Sequence, residues 1–254
     1  MKYLLLIGFL LLLYAFLVEP NILTIKHVRI KNEKLNGLKI VFATDFHFKP
    51  YEKYRLKRIV RAINKQNADI ILLGGDYVNG HKKGANLDVN IIAKEFSDMK
   101  SKNGTFAVMG NHDGWQGRHE IIDLFEKNGI EVLENRCKNF EKFTIAGVED
   151  LQTANPDIEK ALKEAEQPVI LLSHTPDIIS EVPDGTVLTL AGHTHGGQVV
   201  FHKPITVPSK YGTKYAYGLF ATDCGKMFVS KGLGTSILPL RFNCLPEIVV
   251  IEFE

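Results

Sequence analysis

The feature of this 254-residue sequence that most restricts its fold is a recurring break. Five short apolar runs each end in a burst of Asp, His or Asn. Residues 38–44 run into Asp45-Phe46-His47, and 70–73 into Gly74-Gly75-Asp76. Residues 105–109 give way to Gly110-Asn111-His112-Asp113, 169–172 to Ser173-His174, and 187–190 to Gly192-His193-Thr194-His195. Short continuous apolar runs bounded by glycine read as buried strands. Helical spacing fills the gaps. Leu56, Ile59, Val60 and Ile63 form one stripe of a helix expected over 52–66. Residues 87–100, 118–128 (closed by Gly129) and 156–166 also read as helices, with further strand signals at 130–133 and 143–147. This alternation predicts an α/β domain. Beyond Gln198 the helical period disappears, and short strands with Gly/Pro turns predict a second sheet. With no long linker, repeat or low-complexity stretch, one domain is expected after the N-terminal segment.

Ligands of open α/β sheets gather at the carboxyl ends of the strands. Five polar bursts at five such ends are therefore expected to converge. A single Asp or His of this kind would read as a helix cap or a satisfied polar residue; five coincident ones do not. Carboxylate, amide oxygen and imidazole together suit borderline divalent metals rather than a thiolate site. The glycines before Asp76, Asn111 and His193 permit tight turns where backbone approaches metal.

These residues resemble a known family. Asp45-x-His47, Gly75-Asp76, Gly110-Asn111-His112-Asp113, His174 and Gly192-His193-x-His195 match, in order, the five motifs of calcineurin-like metallophosphoesterases. The resemblance implies a four-layer α/β (α+β) sandwich, with two mixed β-sheets face to face, flanked by helices, and here preceded by one N-terminal apolar helix. It implies two divalent ions, Mn foremost, with Fe, Zn, Co, Ni or Mg as alternatives. Asp45, His47 and His195 would hold one ion, Asn111, His174 and His193 the other, and Asp76 would bridge them. His112 would lie beside the scissile phosphate, protonating the leaving oxygen or stabilising charge, and Asp113 would orient and tune His112. Two such ions supply an activated water and clamp phosphoryl oxygens, so no nucleophilic Ser or Cys is needed.

Later motifs narrow the resemblance. Gly196-Gly197-Gln198, Val207-Pro208-Ser209-Lys210, the stretch 230–236, Leu238-Pro239-Leu240-Arg241-Phe242 and Pro246-Glu247-Ile248 look like the membrane-associated bacterial branch that includes the YkuE and YaeI phosphodiesterases. That branch is also similar to the UDP-2,3-diacylglucosamine pyrophosphatase of lipid A synthesis.

The run from Tyr3 to Val18 carries no charge, and Glu19-Pro20 ends it. Sixteen residues span roughly 24 Å as a helix, a little short of a ~30 Å hydrocarbon core. No small-x-small cleavage site follows, so residues 1–20 are expected to be an uncleaved membrane anchor rather than a removed signal or a buried helix. Residues 21–37 read as a lead-in strand and connector, and 38–254 as the catalytic domain. Lys26, Arg29, Lys31 and Lys34 favour a cytoplasmic domain by positive-inside counting, or else form the wet face of a strand. Cys137, Cys224 and Cys244 are scattered and suggest no disulfide framework. The net charge of +2, from 31 Lys+Arg against 29 Asp+Glu, does not support a nucleic-acid binder acting through bulk charge.

Other residues bear on the substrate. The basic face of residues 52–65 would lie on anionic headgroups or simply in solvent. Lys210, Tyr211, Lys214 and Tyr215 sit in a polar loop suited to phosphate or sugar, or merely exposed. Arg241 would clamp phosphate or form a structural ion pair. Trp115 would wall the mouth of the site or pack beneath its loop. The resulting expectation is a membrane-anchored, monomeric, dinuclear phosphoesterase acting on a phosphodiester or pyrophosphate bond of a lipid-linked substrate, with UDP-2,3-diacylglucosamine as one specific case. A broad phosphodiesterase or phosphomonoesterase is the rival. A non-catalytic scaffold is disfavoured because the ligand set is intact.

Overall fold

Alternation along the central strands decides the layering. The computed structural model describes residues 2–254. In the strand β3 (Ile70–Leu73), Ile70 and Leu72 face one apolar cluster while Ile71 and Leu73 face another. Successive strand side chains point to opposite faces, so a strand apolar at every position must be covered on both sides. β3 lies in a six-stranded sheet of order β1 (Thr24–Ile30), β12 (Glu247–Phe253), β2 (Lys39–Ala43), β3, β4 (Thr105–Ala107) and β5 (Ile130–Val132). The pairs β1–β12 and β2 through β5 are parallel, whereas β12 and β2 are antiparallel.

The second sheet runs β10 (Gly218–Thr222), β11 (Gly225–Val229), β9 (Thr186–Ala191), β8 (Val169–Leu172), β7 (Thr144–Gly147) and β6 (Arg136–Asn139). Its two outer pairs are antiparallel and its inner three are parallel. Both sheets are mixed, and they pack face to face. Ile40, Phe42, Leu72 and Val249 of the first meet Ile170, Leu172, Leu190 and Phe228 of the second. Helices α2 (Lys53–Asn64), α3 (Val89–Phe96) and α4 (Asn111–Lys127) cover the outer face of the first sheet through Ile59, Ile63, Phe96 and Phe125. The short α5 (Ile158–Leu162) and the turn Pro176–Ser180 cover the second sheet. The expected α/β four-layer sandwich is therefore present.

Several elements differ from the expectation. The third helix starts at Asn111 rather than near 118, and continues through a kink at Gly117, where φ is 118°. It starts early because the Asp113 carboxylate accepts a hydrogen bond from the Gly110 N–H and so caps the first turn. The helix expected over 156–166 forms only at Ile158–Leu162. The polar edge strand β6 has no apolar pattern to announce it. β1 is no mere lead-in: it pairs with β12 along seven residues. Its Lys26 and Arg29 are exposed while Val28 and Ile30 are buried, the alternation of a wet-faced edge strand.

Lys2–Asn21 forms one helical segment, long and apolar enough by length and composition to cross a membrane. It is α-helical as α1 (Lys2–Leu13), then passes through a π-helical turn (Tyr14–Val18) and a tighter turn (Glu19–Asn21). Its free part is exposed up to Tyr14, but its base is clasped. The Ala15 carbonyl accepts from the Arg241 N–H at 3.0 Å, the buried Glu19 carboxylate accepts from the Cys244 N–H, and the Asn21 carbonyl accepts from Arg58 at 2.8 Å.

Leu72→Ala is expected to lower the unfolding free energy by about 3 kcal/mol, because a fully buried inter-sheet side chain leaves a cavity. Leu12→Ala, on the exposed helix, should change it by less than about 0.5 kcal/mol. Denaturant titration of both proteins in detergent measures the contrast.

Candidate metal centre

Register brings the polar bursts together. Ala43, Leu73 and Ala107 are level across β2, β3 and β4, and Leu172 pairs with Leu190 across β8 and β9. The segments leaving these strands therefore share one edge of the sandwich. Close approach of the segments leaving these strands needs glycine at two places. A Cβ on Gly192 would lie 2.4 Å from Thr44 Oγ1 and 2.5 Å from Asp45 Oδ2. On Gly75, whose φ is +93°, it would lie 2.5 Å from the Gly110 nitrogen. Asp45, His47, Asp76, His193 and His195 all adopt left-handed backbone conformations. Such strain, of order 1–3 kcal/mol per residue, persists only where surrounding structure over-determines it.

Two donor groups result. Asp45, His47, Asp76 and His195 bring one ligand atom each to within 4.8 Å of one another, and so do Asp76, His174 and His193. Asp76 is common to both, its Oδ2 lying 3.3 Å from His47 Nε2 and 3.4 Å from His174 Nε2. Asn111 Oδ1 joins the second group, 3.1 Å from His174 Nε2. His47 Nε2 and His195 Nε2 are 3.0 Å apart, as are His193 Nδ1 and His174 Nε2 at 3.2 Å. All of these side chains are buried.

The set fits divalent cations on its own chemistry. Asp45 Oδ2, His47 Nδ1 and His195 Nδ1 are buried with no hydrogen-bond partner, a costly state for neutral protein packing. His174 Nδ1 donates to the Gly74 carbonyl at 2.8 Å, which fixes the tautomer and aims Nε2 at the centre. The centre's charges also act strongly on one another. Burial raises Asp45 to about 6 and lowers His193 to about 4. Burial opposes the charged form of Asp76 too, yet His174 and His47 hold it well below the usual carboxylate range. Burial likewise disfavours protonated His174, but the Asp76 carboxylate lifts it well above an ordinary imidazole.

His112 stands at the rim. Its Nδ1 donates to the Gly80 carbonyl at 2.8 Å, leaving Nε2 free, and burial lowers its pKa to about 4. The structure gives Asp113 a different place from the one expected. Its carboxylate accepts from the backbone N–H groups of Asp76, Tyr77, Val78 and Gly110, and no bond to the His112 ring forms. It ties the segments after β3 and β4 together, while Gly80 orients the imidazole. Burial and the neighbouring Asp76 charge push it up to about 7.

A cavity of about 510 Å³ opens over the centre. Asp76, Asn111, His112, His193 and His195 line it together with the aliphatic side chains of Val199, Ile205, Val207, Ile237 and Leu238. Trp115 is part of this lining, stacked on His81 at 4.5 Å. Lys210, Tyr211, Lys214 and Tyr215 are not part of it. Lys210 Nζ reaches Ser180 Oγ instead, and Tyr211 packs on Tyr215. Arg241 is fully buried, so no phosphate reaches it. It forms no acidic ion pair either; its guanidinium donates to the carbonyls of Lys231, Gly234 and Cys244.

Two lining residues escaped the sequence reading. Gln152 lies 3.1 Å from His193 Nε2. It is delivered by a turn in which Asp150 Oδ2 accepts from the N–H groups of Gln152 and Thr153. The signal was a sixth polar burst, Glu149-Asp150, after β7. His81 carried no such signal.

Residues 38–197 match the family model described as calcineurin-like phosphoesterase. The chain is 32% identical to the metallophosphoesterase YkuE of Bacillus subtilis (strain 168), over 95% of this chain and 89% of that protein. It is 32% identical to phosphodiesterase YaeI of Escherichia coli (strain K12), over 94% and 91%. A zebrafish (Danio rerio) transmembrane protein with metallophosphoesterase domain is 30% identical over 87% of this chain, which spans 54% of its length. Sandwich, donor set and relatives thus define a metal-dependent phosphoester hydrolase. The chain belongs to the calcineurin-like phosphoesterase family.

Asp76→Ala should lower bound metal from about two ions per chain to below about one, since one carboxylate serves both groups. Elemental analysis of the purified protein checks this; near-normal metal content contradicts the bridging assignment.

Proposed function

We propose that this chain is a membrane-anchored, dinuclear phosphoesterase that hydrolyses a phosphodiester or pyrophosphate bond of a lipid-linked substrate. The observation that carries the reading is the cavity itself, whose lining combines Asp/His donors with aliphatic side chains. A phosphoester joined to an apolar group matches both. The helix Lys2–Asn21 and the transmembrane description of the zebrafish relative support anchoring. YaeI is named a phosphodiesterase, which supports the diester.

Asp45, His47, Asp76, Asn111, His174, His193 and His195 would hold two divalent ions, Mn foremost. Ions so held supply an activated water and neutralise phosphoryl charge. The chain's own residues do the rest. Gly80 holds the His112 ring by Nδ1, so Nε2 is presented to the leaving oxygen, where the imidazole, once protonated beside the phosphoryl charge, donates a proton or stabilises charge. Asp113 keeps Asp76 and His112 in register through four backbone N–H groups. Gln152 steadies His193. Trp115 and His81 give the substrate a flat aromatic wall.

A cytoplasmic domain and a monomer complete the reading. A particular case is UDP-2,3-diacylglucosamine, whose cleavage would release a lipid monophosphate. The alternative is a broad phosphodiesterase or phosphomonoesterase that does not act on lipid; comparing these substrates with a simple diester in Mn²⁺ separates the cases.

His112→Ala should keep its metal content yet lose on the order of 10²–10⁴-fold in kcat on bis(p-nitrophenyl) phosphate. Full turnover by that variant, or none by well-folded wild-type protein with any divalent metal, contradicts the catalytic reading.

A further inference from the structure

The Lys2–Asn21 helix has the length to cross a bilayer, but the part of it that stands clear of the domain does not. Its base is clasped from Ala15 onward by Arg241, Cys244 and Arg58. The free part, residues 2–14, reaches only about 20 Å, against a hydrocarbon core of about 30 Å. Yet Phe16, Leu17 and Val18, within the clasped stretch, keep an exposed apolar side. The missing length, about 10 Å, is close to the depth at which amphipathic surfaces settle in a membrane interface.

The domain has a surface suited to that depth. Segment 235–239 separates the base of the helix from the catalytic cavity. Thr235 and Pro239 line a cavity of about 370 Å³ with Phe16 and Leu17, whereas Ile237 and Leu238 line the wall over the metal centre. Ile237 is 95% exposed and has a φ of 61°, a conformation that β-branched residues rarely adopt. It is held outward by the Gln198 side chain, which accepts from the Ser236 N–H and donates to the carbonyls of Ser236 and Leu238. Ile205, 63% exposed, continues the apolar rim. Water gives no reason to hold an isoleucine out under strain; a lipid surface does.

We infer that the rim of the catalytic cavity, formed by Ile205, Ile237 and Leu238, sits in the bilayer interface, so that the apolar part of the substrate enters the metal centre from the lipid side. This rests on the anchored-phosphoesterase reading for its substrate. The commitment to lipid over a protein partner comes from continuity with the exposed apolar helix.

The test uses the full chain in vesicles of phosphatidylcholine and phosphatidylglycerol with brominated acyl chains, which quench nearby tryptophan. Trp115 is the sole tryptophan. In a Trp115→Phe chain, Ile237→Trp places the probe on the rim, Leu238→Trp supplies a second rim position, and Glu141→Trp marks the start of β7, the opposite end of that strand from the centre. Emission at both rim positions should fall about two-fold or more on bromination, with Glu141→Trp unchanged. Equal quenching at rim and control overturns the inference and leaves the rim to a protein partner. A chain that fails to float with vesicles overturns both the anchor and the inference. The readout needs no turnover, so it fails independently of the His112→Ala test.

Discussion

Buried donors that lack protons to share are the constraint on which the rest of this molecule depends. His47, His174, His193 and His195 converge on Asp45 and Asp76 away from solvent, and some of their polar atoms find no partner in the protein. Unpaired buried polar groups each cost a kilocalorie or more. That cost falls on a backbone already left-handed at five of these positions. Two stiff sheets whose inner strands are covered on both faces offset both, holding the strand ends level while the loops beyond them bend. Divalent cations held by these residues would resolve the electrostatic conflict, because they favour every carboxylate and every neutral imidazole at once.

The loops are also braced from behind. The Gly234 N–H donates to the Asp45 carbonyl and the Leu233 N–H to the Thr44 carbonyl. Arg241 gathers the carbonyls of the same 231–234 segment, and its own N–H bonds the helix base at Ala15. Arg55, from α2, reaches the carbonyls of Phe46 and Leu233. A buried guanidinium bonded only to carbonyls holds backbone in place by geometry. The N-terminal helix and the metal ligands are thus joined by a short series of hydrogen bonds.

Much of this was legible in the sequence for one reason: a strand buried on both faces reads as an unbroken apolar run, and its end is then conspicuous. The five bursts contain all six residues of the two Asp/His clusters, along with Asn111 and His112. What failed to show was whatever depends on contacts between distant segments. Asn111-His112-Asp113-Gly114 has no helical pattern, yet capping by Asp113 starts α4 there. Arg241 looked suited to phosphate because its chemistry is the same whether it meets phosphate oxygen or carbonyl oxygen; only burial distinguishes the two. Gln152 had a readable signal in Glu149-Asp150, whereas the stacking of His81 on Trp115 is a product of the fold alone. The lipid-facing and membrane-side readings rest on the helix and on composition, and the strands carry no information about them.

The strand order of the first sheet bears on how the chain is made. β12, among its last residues, lies between β1 and β2, which are neighbours in sequence. A chain emerging N-terminus first has its helix and β1 available long before β12 exists. Until then β1 has no partner, and the inner face of β2 has no neighbour on that side. The clasp at Ala15 and Glu19 also waits for Arg241 and Cys244. Closure therefore waits until β12 has been made, with pairings between residues more than two hundred positions apart, the non-local kind that slows folding. The exposed edges are then most vulnerable to mispairing during translation rather than after it.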